Sequence, residues 1–181
     1  MSETERHRAL LDERSAALAA RGLVDRQVGA CRDFLVCLVG AEQYGFPLSA
    51  TAAVMPERGC TKVPGAPAAL RGIVAHAGSI LSVIDLAEAL GFRRDDANAG
   101  QGHFLRLRAD DPPVAFAVDR VLGLASVELD AIEAPPLADD RDGLGAEPLS
   151  GYAPAGSDRG GTVSGGFTIL DLPRLLRPFL P

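Results

Sequence analysis

The chain has no tryptophan, a single lysine (Lys62) and only 5% aromatic residues. Few rings are available to fill an interior, so a core built on aliphatic side chains is expected. A basic surplus is also lacking. The formal net charge is −6, which counts against a nucleic-acid partner, because phosphates are met by a basic face. No apolar run approaches the ~20 residues that a membrane helix needs, so no membrane insertion is expected. The opening stretch MSETERHRALLDER is charged from the start and lacks the apolar segment of a signal peptide. A cytoplasmic location is expected. Cys31, Cys37 and Cys60 form no CxxC pair and no even set for disulfides. They read as reduced, mostly buried small hydrophobes.

The signatures of chemistry are missing too. His7, His76 and His103 stand at no metal-ligand spacing with Cys, Asp or Glu, so no metal is expected. No P-loop with its lysine and no GxSxG elbow occurs. Gly160-Gly161 and Gly165-Gly166 lead into no helix and read as flexible loop or strand. Asp85 and Asp171 stand where a carboxylate would accept backbone N–H groups at a helix start, and Asp119 ends a strand. No catalytic pair and no cofactor site is expected, which points to a binding or scaffold protein.

What is present is a chain of 181 residues, 47% hydrophobic and 23% charged. That is one ordinary domain, or two small barrels sharing a core. Residues 5–21 have helix formers and no Pro or Gly, with Leu10, Leu11, Ala17 and Leu18 on one face. A helical extension over 1–30 ahead of the main domain is expected. From residue 33 the pattern becomes that of strands. Residues 34–39 are a continuous apolar run, and Tyr44, Phe46 and Leu48 alternate with other residues after a turn, so a hairpin is predicted. Residues 50–55 are apolar but too short to separate helix from strand. A second hairpin is predicted over 73–77 and 80–84 around Gly78-Ser79, then a helix capped by Asp85 and closed by Gly91. Residues 93–102 read as a polar linker. Further strands are predicted at 104–108, 114–118, 121–127 with a bulge near Gly123, and 162–170. The intervening 135–160 is the longest irregular stretch. Asp171 caps a closing helix with Pro173 in its first turn. Eight to ten short strands with two or three short helices suit barrels or sandwiches. Charge is uneven: residues 109–147 hold ten acids against two arginines, so that segment is −8 and the remainder +2. Such a stretch is a solvated face, or a surface for a basic partner.

Several segments in order resemble the CheW family of chemotaxis coupling proteins. They are Phe34-Leu35-Val36 with Glu42-Gln43-Tyr44-Gly45-Phe46-Pro47-Leu48, then Val63-Pro64-Gly65-Ala66-Pro67 with Leu70-Arg71-Gly72-Ile73-Val74. Gly78-Ser79-Ile80-Leu81-Ser82-Val83-Ile84-Asp85-Leu86 follows, with Leu90-Gly91-Phe92 behind it. Val118-Asp119-Arg120-Val121-Leu122-Gly123-Leu124 is similar to the family's VDEVLG stretch, with Ile132-Glu133-Ala134-Pro135-Pro136 downstream, and Thr168-Ile169-Leu170-Asp171-Leu172 closes the series before Leu175-Leu176. The resemblance spans residues 33–177. It implies a mainly β fold of two five-stranded SH3-like barrels on a shared aliphatic core, with short connecting helices. The barrels would cover roughly 31–92 and 101–177 of a domain at 31–181, or exchange end strands. It also implies a non-enzymatic adaptor linking chemoreceptor cytoplasmic tips to the regulatory domain of a histidine kinase, at membrane-associated receptor arrays.

The pattern breaks at one place. The family's V-N-L-R-G corner is Val74-Ala75-His76-Ala77-Gly78 here, and the Glu of its VxEV pattern falls on Ala53, within Ala52-Ala53-Val54-Met55. In the family that Glu and Arg are expected to pair near the partner surface; both positions are Ala here. Ser82 stands at the proline of PVVDL. An exposed Glu–Arg pair contributes about 0–1 kcal/mol, so the fold should survive its loss. The surface, however, changes in kind, unless Arg71 or Arg58 supplies the charge nearby. Ala53, Val54, Ala75, His76, Ala77 and Gly78, with Asp119 and Val121, are the expected partner-contact residues. The alternatives are a divergent paralogue that binds another protein through residues 1–30 or the acidic 109–147 segment, and a small-molecule sensor or enzyme using an inter-barrel cleft under the 135–160 loop.

Overall fold

The computed structural model describes residues 30–92, 101–110, 112–135 and 148–179. The expected helix over 5–21, most of the linker and the acidic run at 136–147 lie outside the described residues.

The apolar run at 34–39 forms most of β1 (Cys31–Val39), and a turn at Gly40 returns the chain as β2 (Glu42–Pro47). A short 3-10 turn at Leu48–Ala50 then leads into β3 (Thr51–Pro56). The ambiguous stretch at 50–55 is therefore mainly strand. β4 (Leu70–His76) and β5 (Ser79–Asp85) make the second hairpin, followed by α1 (Leu86–Ala89). β6 (His103–Asp110), β7 (Pro113–Val118) and β8 (Arg120–Glu128) follow, then β9 (Leu149–Ala153), β10 (Phe167–Leu170) and α2 (Leu172–Leu176). Two departures from expectation stand out. β9 lies inside the stretch read as irregular, and residues 162–166 do not extend β10. Asp85 and Asp171 cap α1 and α2 as expected, accepting from Glu88 N at 3.3 Å and Arg174 N at 3.1 Å.

The strands form two five-stranded sheets, in the orders β8-β1-β2-β10-β9 and β3-β6-β7-β5-β4. A division into 31–92 and 101–177 does not follow them. β1 pairs with β8 and β2 runs parallel to β10, which draws the first hairpin to the end of the chain. The second sheet is continuous in sequence, from β3 to β7. A bulge at Leu122, beside Gly123, shifts the β1–β8 register.

Alternation along these strands divides the apolar residues among three cores. Phe34, Val36, Ala125, Val127, Phe167 and Ile169 fill the first sheet's concave side. Met55, Val74, Leu81, Val83, Phe104, Ala115 and Ala117 fill the second's. The largest core lies between the sheets, where Leu35, Tyr44, Phe46, Ile84, Leu105, Phe116 and Leu170 meet Leu86, Leu172 and Leu175 of the helices. This is the architecture of two SH3-like barrels sharing an interior. Side chains fill the space between them, so among the described residues no inter-barrel cleft is left for a small molecule. Cys37 is packed here, and burial pushes its thiol up to about 12. Cys31, in contrast, is exposed and Cys60 half-buried. β1 starts beyond the core at Cys31, so not all cysteines are interior.

A candidate partner-binding surface on the second barrel

The corner between β4 and β5 is built by two residues with left-handed backbone. Ala77 has φ +48° and Gly78 φ +79°. The turn is thus Ala77-Gly78, one residue earlier than Gly78-Ser79. Positive φ at both central positions matches the hairpin twist, and glycine adopts it freely. Alanine does so at a cost of about 1–2 kcal/mol. Ala77 is the one non-glycine residue at positive φ among the described residues.

Around this corner the side chains are mostly small or apolar. Ala75 is exposed and lies directly opposite Ile80, which is 63% exposed. His76 lies opposite Ser79 and is half-buried. Arg58, from the segment after β3, donates through Nη2 to His76 Nδ1 at 3.0 Å and reaches Met55 Sδ at 3.6 Å. A guanidinium can only donate, so Nδ1 of His76 is the acceptor and carries no proton here. Ala53 is half-buried on β3 opposite Arg106, and Val54 beside it is 44% exposed.

The segment carrying Arg58 also closes the barrel. Thr61 and Ile73 exchange two backbone hydrogen bonds of 2.9 Å. Glu57 accepts from Arg71 Nη2 at 2.5 Å and from Gly102 N at 3.0 Å, while Arg71 Nη1 stands 3.9 Å from Asp85 Oδ2. The Glu57 and Asp85 side chains are 3% and 5% exposed, so this is a buried ion-pair network. Phe104 lies under the Arg71 guanidinium, 6.0 Å away. Sequence reading missed Glu57. One signal pointed to it: it is the sole acid between Glu42 and Asp85.

Asp119 and Val121 lie elsewhere, at the start of β8 in the first sheet. Asp119 Oδ2 accepts from Gly40 N at 2.6 Å, and its own N–H donates to Leu38 O at 3.1 Å. Its carboxylate therefore pins the β1–β2 turn. Val121 is half-buried against the inter-barrel core. Six of the eight expected contact residues belong to the second sheet and its corner; these two do not join them.

A small cleft of about 170 Å³ lies where β4, β5 and β7 meet the closing turn of the chain. Leu70, Ile84, Val114 and Phe179 line it with prolines, and Ser82 is its one polar side chain. Such a lining offers no paired acid and base. Among the described residues no three of His, Cys, Asp or Glu are grouped as a metal would require, and no helix is long and apolar enough to cross a membrane.

The model of the CheW-like domain matches residues 33–178, which takes in all ten strands. The chain belongs to the CheW-like family. No curated protein matches its sequence. Among solved structures it is similar to the scaffolding protein TtCheW from Thermoanaerobacter tengcongensis, with a TM-score of 0.64 at 20% identity, over 78% of this chain and 89% of that one. At this identity the likeness speaks for the fold. Two five-stranded sheets with a filled space between them are thus the family's double barrel, and the chain's departures from the family pattern lie at Ala53 and at the Ala75–Ala77 corner.

Proposed function

We propose that the chain is a non-enzymatic adaptor of a bacterial chemosensory complex. It couples the cytoplasmic tips of chemoreceptors to the regulatory domain of a histidine kinase. The reading rests on membership of the CheW-like family across both barrels. This role places it in the cytoplasm, at membrane-associated receptor arrays. Its partner surface is the β4–β5 corner with the neighbouring part of β3, and contact rather than chemistry is its work. That surface is altered. With Ala53 and Ala77 where the family is expected to carry a Glu–Arg pair, recognition relies on small apolar residues and on charge brought from outside the corner.

Titration of the full chain against the kinase regulatory domain and a receptor-tip fragment of the same organism tests this. Micromolar binding of at least one is expected. Absence of binding to both at tens of micromolar overturns the reading. The unequal charge favours one alternative, a divergent paralogue that meets its partner through residues 1–30 or the acidic 109–147 segment. In that case deletion of residues 1–30, or neutralisation of the acidic segment, abolishes capture and changes at the corner do not.

A further inference from the structure

Two arginines approach the corner region, and their environments differ. Arg71 is committed inward: Glu57 takes one of its nitrogens, Asp85 stands 3.9 Å from another, and Phe104 lies beneath it. Arg58 is exposed, and both groups that hold it are neutral, the Nδ1 of His76 and the sulfur of Met55. Among the described residues no carboxylate forms an ion pair with Arg58. Its positive charge is therefore fixed in position but uncompensated.

The surroundings add a second property. Ser79, the cross-strand partner of His76, is followed by Ile80, the most exposed of the large apolar side chains. Ala75, Ala77 and Gly78 beside it are exposed and carry no charge. A held guanidinium next to an aliphatic side chain favours a carboxylate that arrives with apolar neighbours. Apolar contact lowers the local dielectric, so the ion pair gains strength as water leaves. A planar guanidinium can also bind a carboxylate through two parallel hydrogen bonds, which fixes register.

We propose that Arg58, positioned by His76, supplies the charge that the corner itself lacks, and that this surface selects a protein partner presenting an acidic side chain beside an aliphatic one, with Ile80 as the apolar contact. The inference rests on the adaptor reading and specifies its partner chemistry.

The full-length chain is titrated against the kinase regulatory domain and the receptor-tip fragment at low and high salt. Arg58→Glu should weaken one of the two by about tenfold or more, since it places like charges together. Arg58→Lys should lose about threefold, keeping charge but not the fork. Ile80→Asp should weaken the same partner, and Arg159→Glu on the first barrel should leave it unchanged. The salt dependence seen with the unmodified chain should shrink in Arg58→Glu, with thermal melts showing each variant folded. Unchanged affinity and unchanged salt dependence in Arg58→Glu overturn the proposal while leaving the adaptor reading standing. If the unmodified chain binds neither probe, the adaptor reading falls and this inference with it. Self-association that Arg58→Glu dissolves would make the occupant a second copy, and would overturn the proposal as stated.

Discussion

The two barrels share one plan and are closed by different means. Each has a hairpin, a parallel strand pair and a short helix opened by an aspartate. Each is also sealed by a carboxylate beyond its strand ladder. In the second barrel Glu57 draws in Arg71 and the Gly102 N–H. In the first, Asp158 gathers four backbone N–H groups, from Ser126, Gly160, Thr162 and Val163, at 2.8–3.0 Å. One seal is a buried pair of opposite charges; the other is a single charge met by peptide dipoles. The charge of the surroundings follows. Residues 51–85 and 101–118 hold five bases and four acids, whereas 31–47, 119–135 and 148–170 hold three bases and seven acids. The same framework thus presents two electrically different surfaces, and the neutral corner with its borrowed arginine belongs to the less acidic one.

The comparison can be broken most severely at Glu57. Glu57→Ala leaves Arg71 half-buried without its main partner, and a loss of about 3 kcal/mol in urea unfolding is expected. A loss under 1 kcal/mol would mean that the pair does not seal the barrel. The first barrel's seal should be weaker and sensitive to acid. Desolvation at its part-buried site pushes Asp158 up, but the four N–H bonds together outweigh this and hold its carboxyl below the ordinary range. A group depressed in the folded state stabilises above its unfolded pKa, and that stabilisation is lost as pH falls through the folded value. Asp158→Asn should therefore cost about 1–2 kcal/mol at neutral pH, and the difference from the parent should narrow below about pH 4. A constant difference across that range would remove the carboxylate's charge from the account. The smallest change sharpens the corner itself. Ala77→Asn should raise stability by roughly 0.5–1 kcal/mol, because asparagine tolerates positive φ better than alanine. An unchanged melting temperature would show the turn to be relaxed.

Much of this architecture could be read along the chain, because β1, β2, β4, β5 and β7 carry apolar runs or alternation that bury one or both faces. β9 could not. Its sequence is Leu-Ser-Gly-Tyr-Ala, and its interior positions demand small groups; a Cβ on Gly151 would stand 2.7 Å from Ile132 Cγ2. Strand propensity has nothing to register there. Sheet membership was equally hidden, since the β2–β10 pairing joins residues over a hundred positions apart. At the candidate surface, Ala53 and the 74–78 corner were legible as departures from a family pattern. The placing of Arg58 was not, because it depends on how the segment after β3 folds back against β4.

The continuity of the second sheet has a consequence for how the molecule comes into being. Residues 51–118 contain all the strands they need to close a barrel among themselves. The hairpin that precedes them has no such recourse: its edges wait for β8 and β10. During synthesis the central barrel can therefore complete itself as an inserted unit, while the earlier hairpin stays half-paired until residue 170 has emerged. Long-range pairing of this kind is slow. The acid-sensitive seal at Asp158, only nine residues before β10, belongs to the last part of the chain to find its place.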